Sequence, residues 1–128
     1  MKAKLLVRQH DKHGAGYYKA PRGSRLHNGI DYAAPVGLHI LPIREGLITK
    51  LGYPYGDDNS FRYVQVSADG YDFRYFYLSP LVKVNEYVYT ETPIGTVQDL
   101  EPRYNGITPH CHLEVKKYGQ FINPEEIE

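Results

Sequence analysis

The sequence predicts a mainly β, single-domain protein built on an antiparallel β-sheet with hairpins and long groove-forming loops, and three observations carry that expectation. Thirteen Tyr, twelve Gly and nine Pro occur with scarcely any helical periodicity, which describes short strands punctuated by turns. Asp69-Gly70 is a strong two-residue turn signal between runs rich in aromatic and β-branched residues. Phe61, Tyr63, Gln65 and Ser67 alternate with Arg62, Val64 and Val66, partly the period-two pattern of a sheet with one buried face. A chain of 128 residues is the size of one ordinary domain, taken here as 1–128.

Taken in order, residues 1–24 form an N-terminal extension in which Gly14-Ala15-Gly16 and Pro21-Arg22-Gly23-Ser24 make loops, leaving short strands near Leu5 and Tyr17. Leu38 to Ile43 and Gly46 to Leu51 read as one hairpin around Arg44-Glu45-Gly46. Phe61 to Ser67 and Tyr71 to Leu78 read as a second, around Ala68-Asp69-Gly70. Between them, Gly52 to Asn59 is too rich in turn residues for regular structure. Val82 to Tyr89 gives a turn and a short strand, Pro93 to Val97 another strand, and Gln98 to Pro109 a long loop leading into His110 to Val115. Asn123 before Pro124-Glu125-Glu126 caps one helical turn.

Composition narrows function by exclusion. Fifteen basic and fifteen acidic residues leave no net charge, so nothing global argues for nucleic acid or an anionic membrane surface. The single Cys111 allows no internal disulfide. Met1 to Arg8 has a basic start but too short an apolar run for a secretory core of about seven to fifteen residues. No segment approaches the about eighteen apolar residues of a membrane span, so no membrane insertion is expected. The expectation is a chain made in the cytoplasm without a signal peptide and, for want of any sign of assembly, a monomer.

Function must therefore come from a local site, and Thr108-Pro109-His110-Cys111-His112-Leu113-Glu114-Val115 supplies one. In a strand, residues i and i+2 share a face, so His110 and His112 point the same way while Cys111 and Leu113 point into a core. Zinc in hydrolytic centres takes His, Asp or Glu ligands and leaves a position for water. Upstream, His27-Asn28-Gly29-Ile30-Asp31 offers a further imidazole and a carboxylate with a glycine between them. By itself that pair is equally a loop His beside a turn-stabilising Asp. Cys111 is either a buried small hydrophobe or, more sharply, a thiol nucleophile flanked by imidazoles.

Arg25-Leu26-His27-Asn28-Gly29-Ile30-Asp31 followed by Pro35-Val36-Gly37, then Glu45-Gly46-Leu47-Ile48, Ile94-Gly95-Thr96-Val97 and Pro109-His110-Cys111-His112-Leu113-Glu114 together resemble the lysostaphin-type zinc endopeptidases of bacterial cell walls. The ordered set runs over roughly ninety residues, within a motif-bearing core at 25–117, and is far more specific than a lone His-x-His. The resemblance implies the lysostaphin-type fold, a Zn2+ held by His27, Asp31 and His112, and His110 as the base that takes a proton from the attacking water. It also implies peptidoglycan peptides as substrate; for a wall-cutting enzyme with no export signal, the expectation is action at the wall after phage-type release or within a virion. One position departs from the family. Where Tyr-x-His-Leu-Ser is usual, this chain reads Tyr75-Phe76-Tyr77-Leu78-Ser79.

Tyr77 is then either a hydroxyl donor to the oxyanion of the tetrahedral intermediate or an aromatic packing residue in a decayed site. The alternative function that follows is a catalytically impaired, zinc-stabilised module that binds wall peptides or serves a phage or envelope assembly. His110 has its own bland reading as a solvent-exposed surface residue. Glu114, two residues after the last ligand, is placed to support it from outside. Arg22 and Arg25 either meet a substrate carboxylate or are simply solvated. Tyr53, Tyr55 and Tyr104 are candidate groove walls, and His10, His13 and His39 read as surface histidines.

Overall fold

The computed structural model describes residues 5–127. Twelve strands follow in order: β1 Pro21–Arg22, β2 Arg25–Leu26, β3 Ile30–Ala33, β4 His39–Ile40, β5 Gly46–Gly52, β6 Tyr63–Ala68, β7 Tyr71–Phe76, β8 Leu78–Pro80, β9 Tyr87–Val88, β10 Gly95–Val97, β11 His110–Lys117 and β12 Gln120–Ile122. A 3-10 turn at Pro124–Glu126 closes the chain, with the Asn123 side chain accepting from the Glu125 N–H as its cap. Every strand pairing is antiparallel. The largest sheet runs β12-β11-β7-β6-β5-β9 with β3 also on β11; β4-β10-β8 form a second sheet and β1-β2 a small hairpin.

The β6–β7 hairpin forms where the turn signal stands. Asp69 and Gly70 both take positive φ, 52° and 83°, the mirror-image turn whose twist matches the flanking strands. One face of the large sheet is apolar throughout: Ile48, Val64, Val66, Phe73, Tyr75, Leu113 and Val115 are fully buried in one cluster with Ile30, Leu78 and Ile94. Burying side chains of this size contributes about 1.5–3 kcal/mol each. Cys111 lies in the same cluster, as strand alternation requires. The opposite face carries Gln65, Arg74 and Glu114 side by side in register, with Arg74 Nε donating to Gln65 Oε1 at 2.6 Å. A polar face behind an apolar one gives the sheet a side on which chemistry can sit.

Two expected pieces differ. The hairpin from Leu38–Ile43 to Gly46–Leu51 is absent: β4 is short and pairs β10 in the second sheet, while β5 pairs β6 and β9. Pro42 lacks an N–H for a ladder, so the run cannot continue as a paired strand beyond Ile40. Among the described residues, the early strands expected near Leu5 and Tyr17 are likewise absent. Val7 makes only an isolated bridge to Tyr32, Tyr17 lies in a turn, and the regular pairing falls instead on β1 and β2. The extension is nonetheless stitched to β3, through Arg8 N to Asp31 O at 2.7 Å, Ala33 N to Leu6 O at 2.7 Å and Asp31 N to Gly16 O at 2.8 Å. No helix of the described residues is long and apolar enough to cross a membrane.

Candidate functional site

The pairing of β3 with β11 sets His112 directly opposite Asp31. Gly29, just before β3, permits that approach: a Cβ there would collide with the Leu113 carbonyl and lie 3.0 Å from His112 Cε1. The chain then brings His27 over the same point. Three donor atoms converge, with His112 Nδ1 2.7 Å from Asp31 Oδ1, His27 Nε2 3.0 Å from His112 Nδ1, and His27 Nε2 3.3 Å from Asp31 Oδ1. All three residues are buried, and they form the one cluster of metal-ligating groups among the described residues.

The far atom of each of these three side chains is already committed. His27 Nδ1 lies 3.0 Å from the Tyr17 carbonyl, which only accepts, so Nδ1 carries the proton and the Nε2 lone pair faces the cluster. His112 Nε2 donates to Glu114 Oε2 at 2.9 Å, turning Nδ1 toward the same point. Asp31 Oδ2 accepts from Arg8 Nε at 3.0 Å. An outer ring of this kind is what orients the ligands of metal centres generally. Two imidazole nitrogens and a carboxylate oxygen cannot face one another without a proton or cation among them. Their separations approach the about 3.3 Å expected between donors on a tetrahedral zinc with bonds near 2.0–2.1 Å. The donor set fits such an ion.

Electrostatics agree. Burial alone would raise the Asp31 carboxyl, but hydrogen bonds from His112 and His27 and the neighbouring imidazoles hold it well below the usual carboxylate range. Burial alone would depress His112, but its bonds to Asp31 and Glu114 raise it to about 9 in the metal-free site. His110 is buried rather than solvent-exposed, which removes the surface reading. Burial holds its pKa below the ordinary value, partly offset by Asp31 and the Thr108 carbonyl. Its Nδ1 donates to Thr108 O at 2.8 Å, so Nε2 carries the lone pair, 3.6 Å from Asp31 Oδ2. A neutral imidazole with its free nitrogen beside the ligand cluster is a competent base.

Tyr77 stands across from it. The ring meets His110 edge-on at 5.4 Å between centroids and lies 6.4 Å from His112. It occupies a bulge between β7 and β8: Tyr77 N–H and Leu78 N–H both donate to the Arg62 carbonyl, at 2.8 and 3.2 Å, and Tyr77 has φ 68°. A bulky residue in the left-handed region costs on the order of 1 kcal/mol or more, so packing must hold it there. The Tyr77 hydroxyl lies 3.0 Å from that of Tyr55, which lies 2.6 Å from that of Tyr104. Burial pushes the Tyr77 phenol upward, so it stays protonated at neutral pH.

These groups line one cavity of about 320 Å³, floored by His27, Asp31, His110 and His112 and walled by Tyr55, Tyr77 and Tyr104. Tyr53 is not a wall; half exposed, it stacks under Arg62 at 4.1 Å. Cys111 is fully buried on the other face and its thiol is pushed up by burial, which removes the nucleophile reading. Glu114 does hold His112 from outside. Sequence reasoning missed two residues. Arg8, 2% exposed, bridges Asp31 and Asp11, and its only signal was a lone cation ending an apolar run. His13 lines the cavity rather than the outer surface, edge-on to Tyr104 at 5.6 Å.

Comparison with known proteins extends these findings. The family model described as Peptidase family M23 matches residues 25–124. "Leukocyte cell-derived chemotaxin-2" of Bos taurus is 31% identical over 109 residues, 84% of this chain and 72% of the relative. "DD-carboxypeptidase/endopeptidase Mpg" of Neisseria meningitidis serogroup B is 35% identical over 103 residues, 80% of this chain but only 23% of that much longer protein. Among solved structures, the catalytic domain of the antimicrobial peptidase lysostaphin from Staphylococcus simulans superposes with a TM-score of 0.67 at 25% identity, covering 88% of each chain.

Proposed function

The chain belongs to peptidase family M23, and from that premise we propose that it is a zinc-dependent endopeptidase hydrolysing peptide bonds in the stem peptides or cross-bridges of bacterial peptidoglycan. The observation that carries this reading is the convergence of His27 Nε2, Asp31 Oδ1 and His112 Nδ1 with every outer atom committed elsewhere. A metal centre built with that much support beside a free imidazole nitrogen suits hydrolysis. The Neisseria and Staphylococcus relatives, named as a carboxypeptidase/endopeptidase and an antimicrobial peptidase, support peptide hydrolysis.

Bound by His27, Asp31 and His112, zinc would supply Lewis-acid polarisation of the scissile carbonyl and acidify the attacking water. The chain does the rest. His110 Nε2 accepts the proton of the water and returns it to the leaving amine, while its Nδ1–H stays on the Thr108 carbonyl and fixes the ring. Tyr55 can donate to Tyr77 while accepting from Tyr104; in that arrangement the Tyr77 proton is left for the developing oxyanion.

The test is mass spectrometry of cross-linked peptidoglycan fragments incubated with zinc-loaded protein, with chelated protein and with His110→Ala. New termini are expected with active metal alone, and His110→Ala should slow cleavage by about 10²- to 10⁴-fold while retaining zinc. A second reading, a zinc-stabilised module that binds wall peptides without cutting them, draws on Tyr77 and on the bovine relative's name as a chemotaxin. Intact walls of several chemotypes with full zinc occupancy would establish it instead.

A further inference from the structure

At the rim of the cavity one cation, Arg25, has no acidic partner among the described residues. Arg8, Arg22 and Arg25 line it, against Asp31 and Glu114. Glu114 is taken by His112, and Asp31 by His112 and Arg8. Arg8 is paired with two acids, through Nε to Asp31 and through Nη1 to Asp11, and Nη1 also donates to the Gly14 carbonyl. Arg22 donates to the Ala15 and Pro21 carbonyls and stands 3.6 Å from Asp31 Oδ2, close enough to feel the charge without making a hydrogen bond. Arg25 is exposed and makes no hydrogen bond or ion pair with any described residue.

The placement of Arg22 and Arg25 sharpens the point. They form the closing cross-strand pair of the β1–β2 hairpin, in register with each other at the cavity rim. Like charges directly opposite on paired strands destabilise the pairing. Backbone bonds from Lys19 N to His27 O and from His27 N to Ala20 O, both 2.8 Å, hold the hairpin against that repulsion, and a cation bound on the cavity floor would add to it. We propose that the Arg22–Arg25 pair reads a free carboxylate on the substrate, close to the scissile bond, and so selects wall peptides with an unblocked carboxyl over their amidated counterparts. Planar guanidinium forks match carboxylate geometry bidentately; the Arg25 fork is open, and Arg22, tied by Nη1 and Nη2 to backbone carbonyls, sets a second positive charge beside it. This assignment rests on the wall-peptide reading above.

The experiment measures binding separately from turnover. Zinc-loaded His110→Ala protein is titrated calorimetrically with a cross-linked stem peptide, with versions in which either the side-chain carboxyl of the diamino acid or the C-terminal carboxyl is amidated, and with the doubly amidated form. One single amidation is expected to weaken binding about 10- to 100-fold and thereby identify which carboxyl is read. Adding Arg25→Gln should remove that preference, and Arg22→Gln should reduce it. Arg25→Gln should also leave the melting temperature equal to or above that of the parent, since it relieves cross-strand repulsion, whereas a structural role would lower it. Equal affinity for the free and doubly amidated peptides, or a preference that survives Arg25→Gln, overturns the assignment. The two readings separate cleanly. Carboxylate-selective binding by a wild-type protein that cuts nothing leaves this inference standing and removes the hydrolase; cleavage of free and amidated peptides at equal kcat/KM does the reverse.

Discussion

At Tyr77 the chain puts a phenol where lysostaphin-type peptidases usually have an imidazole, and the two differ in what they can hold at neutral pH. Burial pushes the phenol upward from its ordinary value, so it offers a proton and never a charge. Tyr77→Phe deletes that donor and little else, because Tyr55 keeps its bond to Tyr104 at 2.6 Å. Steady-state kinetics should show kcat lowered by about 10²- to 10³-fold with zinc content and melting temperature unchanged. An unchanged kcat would make Tyr77 packing alone. Arg8 is the structural counterpart. Arg8→Met leaves Asp31 and Asp11 without their guanidinium in a buried site, and denaturant titration should register a loss of about 3–5 kcal/mol. Legibility in the sequence divides along the same line. His27, Asp31, His110 and His112 were readable because their residue types and spacing are themselves the signal. Arg8 and His13 reach the site only through the path of the extension, which no local pattern encodes.

Strands set the distances that residues then use. The β3–β11 pairing, which joins Asp31 to His112 across 81 positions of sequence, depends on Gly29 having no side chain against the Leu113 carbonyl. Gly29→Ala must push β3 from β11 or swing His112 aside. Thermal unfolding should show a loss of about 1–3 kcal/mol, and the zinc affinity should fall along with it. A variant with native stability and native zinc affinity would show that β3 tolerates the shift. Hairpins with their turn in hand, such as β6–β7 around Asp69-Gly70, were legible because both strands and the turn are contiguous. The alternation of β11 correctly sent Cys111 and Leu113 into the core and His110 and His112 to the site. The partner of β4 was not legible. Its two residues pair with β10, more than fifty positions on, and a short apolar run followed by Pro42 looks the same whichever sheet receives it.

Across the whole molecule, three segments distant in sequence meet at one buried cluster of charge: the extension through Arg8, β3 through Asp31, and β11 through His112. The ion that would occupy it therefore acts on stability as well as on chemistry, since a ligand that binds only the folded chain stabilises it by mass action. The proton on His112 competes with that ion. In the metal-free protein His112 titrates at about 9, above its ordinary 6.5. A folded-state value raised above the unfolded one stabilises the fold fully below about pH 6.5, and that contribution disappears as pH rises through about 9. Metal requires the neutral Nδ1, so between these limits each ion taken up releases about one proton and affinity falls roughly tenfold per pH unit of acidification. Chelation should therefore lower the melting temperature, and the gap between zinc-loaded and chelated protein should widen from pH 6 to pH 9, because the proton that supports the chelated form is leaving while the metal binds more tightly. Differential scanning fluorimetry at a series of pH values, each with matched free zinc, measures the gap directly. A gap that stays constant across the series would mean that the ion does not displace the His112 proton, and would take His112 out of the ligand set.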